Sequence, residues 1–371
     1  MAKPPAPRLK IAVYAICLNE EAFVDRFVDA VVDADLIVIA DTGSTDGTVA
    51  AFERRGVKPH AISIRPWRFD QARNAALALV PDDIDICVSL ALDELIMPGW
   101  RRVLEGLWKR PINHVMYTHA WSRDVTGQWQ QHLDNRIHAR HGFVWRYPCH
   151  ETIETDGIDD HLAIVRHLRI EHRPDPDKSR GQYLPLLELA VREEPDSPRQ
   201  AFFLAREYFY HDRHDEALDQ LRRYLEIGPV GEVGQRCAAR RLIARSLEGR
   251  GDADAALDAW RAAAEAAPDV RGPQIDHAWA LYQREQWAAC YAAAVKAINL
   301  PELVVDYGCD PEFGVLAEDM AAICGWRLGF GAQALIYGRQ ALAKAPGVDR
   351  IRLNVERMEQ ALGVTPARGA L

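Results

Sequence analysis

The sequence predicts two domains of different class: an α/β domain on a mainly parallel sheet, then an all-α domain of repeated helical hairpins. Two patterns carry that expectation. Apolar runs alternate with amphipathic segments from Leu9 to about Leu95, and a repeat with a fixed alanine-to-proline spacing fills the second half. The length agrees, since 371 residues exceed one ordinary core.

In chain order, Ile11–Leu18 reads as a buried strand, Glu21–Val32 as a helix, Leu36–Ala40 as a strand and Asp46–Arg55 as a helix. A short strand at His60–Ile64, a helix at Asp70–Val80 and a fourth strand at Ile84–Leu90 complete the series. Alternation of strand and helix implies crossovers and a parallel sheet covered on both faces. Ligands of such sheets lie outside the carboxyl ends of the strands, so the loops at 17–20, 41–47 and 91–94 are expected to converge.

From about Gly181 the strand signal stops. Glu216–Pro229, Ala255–Pro268, Ala288–Pro301 and Gln333–Pro346 match one another, with Ala217, Ala256, Ala289 and Ala334 each twelve residues before the closing proline. Ala205, Ala244 and Ala322 hold the small-residue position of the preceding helices, and His277 stands there in the third unit. The pattern resembles tetratricopeptide repeats, with small residues where paired helices touch and a proline ending the second helix. Ile351–Leu362 would cap the stack. The expected division is a tail at 1–8, the α/β domain at 9–180 and the repeats at 181–371.

A net charge of −9 argues mildly against a surface built to neutralise a phosphate backbone, although a local basic groove is compatible with it. No run reaches the roughly 18–20 apolar residues that span a bilayer, and the start carries no signal-peptide core. The seven cysteines are scattered without CxxC pairs, as expected of reduced thiols in a cytoplasmic protein.

The loop Asp41-Thr42-Gly43-Ser44-Thr45-Asp46-Gly47-Thr48 admits two readings. It could be a glycine turn with Asp46 capping the next helix. Equally, a carboxylate at a strand end suits a uracil edge or a ribose hydroxyl, and glycine lets a base approach the backbone.

The run Ile16–Val24 (ICLNEEAFV), then Asp41–Thr48, Phe69–Leu77 (FDQARNAAL), Leu90–Glu94 (LALDE) and Gly99-Trp100, resembles in content and order the family 2 glycosyltransferases, over about residues 9–180. The resemblance implies the GT-A fold, a Rossmann-like sheet. It also implies inverting transfer of a sugar from a nucleoside diphosphate sugar, with a UDP-sugar as the habitual donor and usually a divalent metal, Mn2+ or Mg2+. Asn19 and Glu20 would line the nucleoside pocket, and Asp41 would accept from uracil or ribose. Arg73 and Asn74 would reach the base or diphosphate, against the alternative of a helix cap and an ion pair with Asp70.

The family's Asp-x-Asp-Glu metal segment corresponds to Ala91-Leu92-Asp93-Glu94, which leaves Asp93 as the carboxylate ligand. Asn135–Arg140 and the stretch ending in His150-Glu151 resemble the family's arginine-rich strand and His-Glu motif. Arg136 would then bind the donor, Glu151 would serve as general base, and His150 would ligate the metal or diphosphate. Lys178 and Arg180, after His172-Arg173, would close over the diphosphate. Trp121 and Trp145 are candidate acceptor platforms.

The tandem of such a domain with repeats resembles transferases acting on peptides and proteins, and others proposed to act on modified DNA bases. A peptide or protein acceptor gripped by the repeats suits an acidic chain; a modified nucleic acid base is the second acceptor, and no membrane partner is expected. The competing function is a non-catalytic repeat scaffold, for which Ala91 in place of an aspartate is the main support.

Overall fold

The computed structural model describes residues 8–123, 129–174, 181–227, 233–301 and 314–364. The chain divides into two compact units, Met1–Glu193 and Glu194–Leu371.

In the first unit, β1 (Ile11–Cys17), α1 (Glu21–Ala30), β2 (Leu36–Asp41), α2 (Thr48–Arg54), β3 (His60–Ala61), α3 (Phe69–Ala78) and β4 (Ile86–Ser89) follow the expected order, with ends shifted by a few residues. There follow β5 (Glu94–Ile96), α4 (Trp100–Leu107), β6 (His114–Arg123), β7 (Trp129–Ala139), β8 (Phe143–Arg146), β9 (Thr152–Thr155), β10 (Leu162–His172) and α5 (Tyr183–Glu193). The eight-stranded sheet runs β3-β2-β1-β4-β7-β6-β10-β5, and β8 pairs with β9 as a separate ribbon. Parallel pairing joins β3, β2, β1 and β4, while β7 is antiparallel to both its neighbours.

Central position explains the composition of β1: buried on both faces, it must be apolar at successive residues rather than at alternate ones. Ile11, Val13 and Ala15 face a core under α1, α2 and α4, which contribute Val24, Phe27, Phe52, Trp100 and Leu104. Ala12 and Tyr14 face a second core with α3 and the β8–β9 ribbon. Within that second core, Trp145 Nε1 donates to Tyr14 Oη at 2.8 Å, and Tyr14 Oη lies 2.8 Å from His138 Nε2. His138 Nδ1 lies 2.7 Å from the Ala139 carbonyl and must donate to it, so Nε2 accepts from the tyrosine.

Two bulges shape the pairing of β6 with β7. Val115 faces Ile137 but Tyr117 faces Asp134, so β7 carries an extra residue near Asn135–Arg136. The second bulge puts Trp121 out of step in β6, where it is 47% exposed.

The second unit is all helical: α6 (Pro198–Tyr210), α7 (His214–Ile227), α8 (Val233–Gly249), α9 (Ala253–Ala266), α10 (Arg271–Gln283), α11 (Trp287–Ile298), α12 (Leu316–Arg327), α13 (Gly331–Lys344) and α14 (Asp349–Leu362). Ala205, Ala217, Ala244, Ala256, Ala322 and Ala334 are buried where helices pack, as the repeat requires. The third unit corrects the expected register. Ala289 is exposed and His277 half-buried, whereas Ala278 and Cys290 are fully buried and keep the same spacing as Ala205–Ala217. Cysteine here fills the alanine position, and the unit is one residue shorter before its proline. The described cysteines are all buried, with no disulfide among them; Cys309 lies outside the described residues.

Candidate active site

Strand direction gathers the expected residues at one edge of the sheet. Asp41 ends β2, Asn19 and Glu20 follow β1, Asp93 follows β4, and His172 ends β10. All of these are carboxyl ends of mutually parallel strands, the edge where the sequence motifs converge.

The first two loops brace each other. Asn19 Oδ1 accepts from Thr45 N at 2.7 Å, Asn19 N donates to Ser44 Oγ at 2.9 Å, and Glu20 N donates to Thr48 Oγ1 at 2.8 Å. Asp41 accepts from the backbone of Gly43 and Ser44 at 3.1–3.2 Å, and Gly43, at φ +115°, makes the turn a side chain would strain. Asp46 accepts from Thr48 N at 3.0 Å. The loop is thus a carboxylate-wrapped turn at a strand end, which is the turn reading of the sequence.

On the α3 face, Arg73 Nε donates to Glu151 Oε1 at 2.5 Å, Arg73 Nη1 donates to Ser89 Oγ at 3.1 Å, and its guanidinium stacks 4.9 Å from the Trp145 ring. Asp70 takes its ion pair from Arg68 at 2.8 Å rather than from Arg73. Asn74 trades hydrogen bonds with the Trp145 backbone, each 2.9 Å, and so clamps β8 onto α3. Trp145 is almost fully buried, which removes it as an acceptor platform; Trp121 remains exposed. His150, at φ +51°, sets its ring edge-on to Tyr183 at 5.8 Å.

On the α1 face, Asp93 accepts from His172 Nε2 at 3.3 Å. Burial opposes charge on His172, but that hydrogen bond and the neighbouring carboxylates outweigh it and raise its pKa. Arg136 grips Glu94 at 2.6 and 3.0 Å and Asp134 at 2.7 Å, while His119 Nε2 lies 3.0 Å from Glu94. Burial disfavours the Glu94 carboxylate, yet Arg136 and His119 hold its pKa well below the usual range. Lys178 and Arg180 lie outside the described residues.

Sequence reasoning passed over His119, His132 and Asp134, and placed His172 only in the segment expected to close over the diphosphate. The alternating His132-x-Asp134-x-Arg136-x-His138 in one strand was the available signal.

Residues 12–165 match the sequence model of Glycosyl transferase family 2. The first unit carries a family 2 glycosyltransferase domain. A relative is the lipopolysaccharide core biosynthesis glycosyltransferase LpsC of Rhizobium meliloti, 32% identical over 103 residues, which is 27% of this chain and 38% of that protein's length. Solved structures with similarity include MamA, 13% identical, covering 43% of this chain and 85% of that one, TM-score 0.35. Part of a tetratricopeptide repeat-containing protein from Cytophaga hutchinsonii is 12% identical over 49% and 66% of the two chains, TM-score 0.40. Within the glycosyltransferase domain, the Arg73–Glu151 pair reaches Ser89 and the Arg136–His119 pair reaches Glu94, at the two ends of the segment Ser89–Glu94.

Proposed function

We propose that this protein is a cytoplasmic, inverting glycosyltransferase that moves a sugar from a UDP-sugar to a peptide or protein acceptor engaged by the helical repeats. The observation that carries the reading is the pairing on either side of one strand end. Glu151 is tied through Arg73 to Ser89, and four residues further on Asp93 is tied to His172. No described helix is long and apolar enough to cross a membrane.

In this reading, Glu151 takes the proton from an acceptor hydroxyl, thiol or amide as the acceptor atom bonds to the anomeric carbon. The bond from that carbon to the diphosphate breaks on the opposite face. With Oε1 held by Arg73, Glu151 works through Oε2, and Arg73 fixes its direction. Asn19, Glu20 and Asp41 hold the nucleoside. A divalent cation would be held by Asp93 and His172, and it supplies charge against the diphosphate. One carboxylate and one imidazole suit Mn2+ better than Mg2+, which prefers oxygen ligands. His172, rather than His150, is therefore the nitrogen ligand proposed beside Asp93.

Calorimetry with UDP and Mn2+ tests the donor site: Asp41→Ala abolishes UDP binding, and Asp93→Asn weakens only its Mn2+-dependent part. Glu151→Gln keeps UDP binding and lowers transfer by on the order of 10²-fold. Absence of UDP binding in the wild-type chain supports instead the non-catalytic scaffold, which Ala91 favours. Transfer to a DNA base in preference to peptides overturns the proposed acceptor.

A further inference from the structure

β6 and β7 bring His119 and His132 directly opposite each other, and Asp134 follows two residues along the same face, opposite Tyr117. The two imidazole rings are 5.0 Å apart. One ligand-capable atom from each of His119, His132 and Asp134 falls within 4.8 Å of the others. The ligand-to-ligand edge of a tetrahedral site with bonds of about 2.0–2.1 Å is roughly 3.4 Å, so small side-chain rotations close the set.

The tautomer of His119 points the same way. Glu94 Oε1, which also accepts from Arg136, lies 3.0 Å from His119 Nε2, so the ring nitrogen is the donor there and carries the hydrogen. In the neutral ring, Nδ1 then presents a lone pair. That atom is buried and has no hydrogen-bond partner among the described residues, in a side chain only 9% exposed. A buried polar atom left unsatisfied needs an explanation. A carboxylate donating its support to one imidazole nitrogen while the other faces a metal is the usual way a ligand histidine is oriented. Arg136 supports Asp134 in the same manner.

We propose that His119, His132 and Asp134 bind a borderline transition-metal dication of the Zn2+ class, at a site separate from Asp93 and oriented by Glu94. Two nitrogen donors and one carboxylate select such an ion over Mg2+ or Ca2+, which take oxygen. The site stands on its own residues and does not rest on the transferase reading.

The test titrates ZnCl2 into the full-length chain after chelator treatment and dialysis, by calorimetry, with X-ray absorption at the zinc edge. The expected result is one strong site per chain, with a nitrogen and oxygen shell containing two imidazoles. Asp93→Asn retains it. His132→Ala and Asp134→Asn each weaken it 100-fold or more, and Glu94→Gln weakens it 10- to 100-fold. Far-UV circular dichroism and melting in chelator establish that each variant is folded; His132→Asn serves if His132→Ala is not. Failure of the wild-type chain to bind Zn2+, binding unaltered in the folded His132 and Asp134 variants, or sulfur in the shell overturns the site. UDP binding measured without zinc reads the donor site independently.

Discussion

At the scale of single residues, His138 illustrates what a buried network demands. Burial drives its pKa from 6.5 down to about 3, and its two nitrogens are committed to Tyr14 and Ala139. The folded state therefore keeps it neutral at acidities where the unfolded chain takes up a proton. A depressed folded pKa means that stability is complete above about pH 6.5 and is lost progressively as pH falls toward 3. One group shifted this far contributes on the order of 4–5 kcal/mol across that window. The His138→Gln variant is expected to lose less stability between pH 6.5 and 3.5 than the wild-type chain; equal slopes in urea-unfolding series remove His138 from this role. Glu151, Asp93 and Asp41 were singled out as candidates because each stands in a motif with a chemical purpose. Their pairings were not legible: that Arg73 meets Glu151, and that His172 rather than His150 meets Asp93, depends on distant strands that no local pattern joins.

At the scale of elements, the parallel half of the sheet was readable since β1, β2 and β4 are short apolar runs bounded by turn residues. The other half was not. β6 and β7 carry polar residues toward the site and each contains a bulge, so their alternation is broken at the point where a period of two would be sought. The helical unit repeats the lesson, with a spacing read correctly in three units and off by one in the other. The corrected register is testable by urea midpoints. Ala256→Leu, at a fully packed helix contact, should cost about 1–3 kcal/mol. Ala289→Leu, on an exposed face, should change stability by less than about 0.5 kcal/mol. Similar costs at both positions would restore the original alignment.

At the scale of the whole molecule, two units with separate cores predict separable functions. Every residue of the two cores around the sheet precedes Glu193. Deleting residues 195–371 is accordingly expected to leave a folded domain that hydrolyses the donor and no longer transfers sugar to a macromolecular acceptor. Undiminished affinity for that acceptor would assign the repeats another task. The composition bounded the domain count, and the repeat announced the second fold; the compact units divide after Glu193 rather than after residue 180. The β7 bulge carries a consequence for how this protein can vary. Its surplus residue acts as a phase shifter: Ile137 and His138 keep step with β4, while His132 and Asp134 are delivered to the side where His119 waits. Without that single amino acid the alternation would be regular and His132 and Asp134 would still stand opposite His119 and Tyr117; its presence is what lets Asp134 share a face with Ile137 three residues on, where strict alternation would set the two on opposite faces.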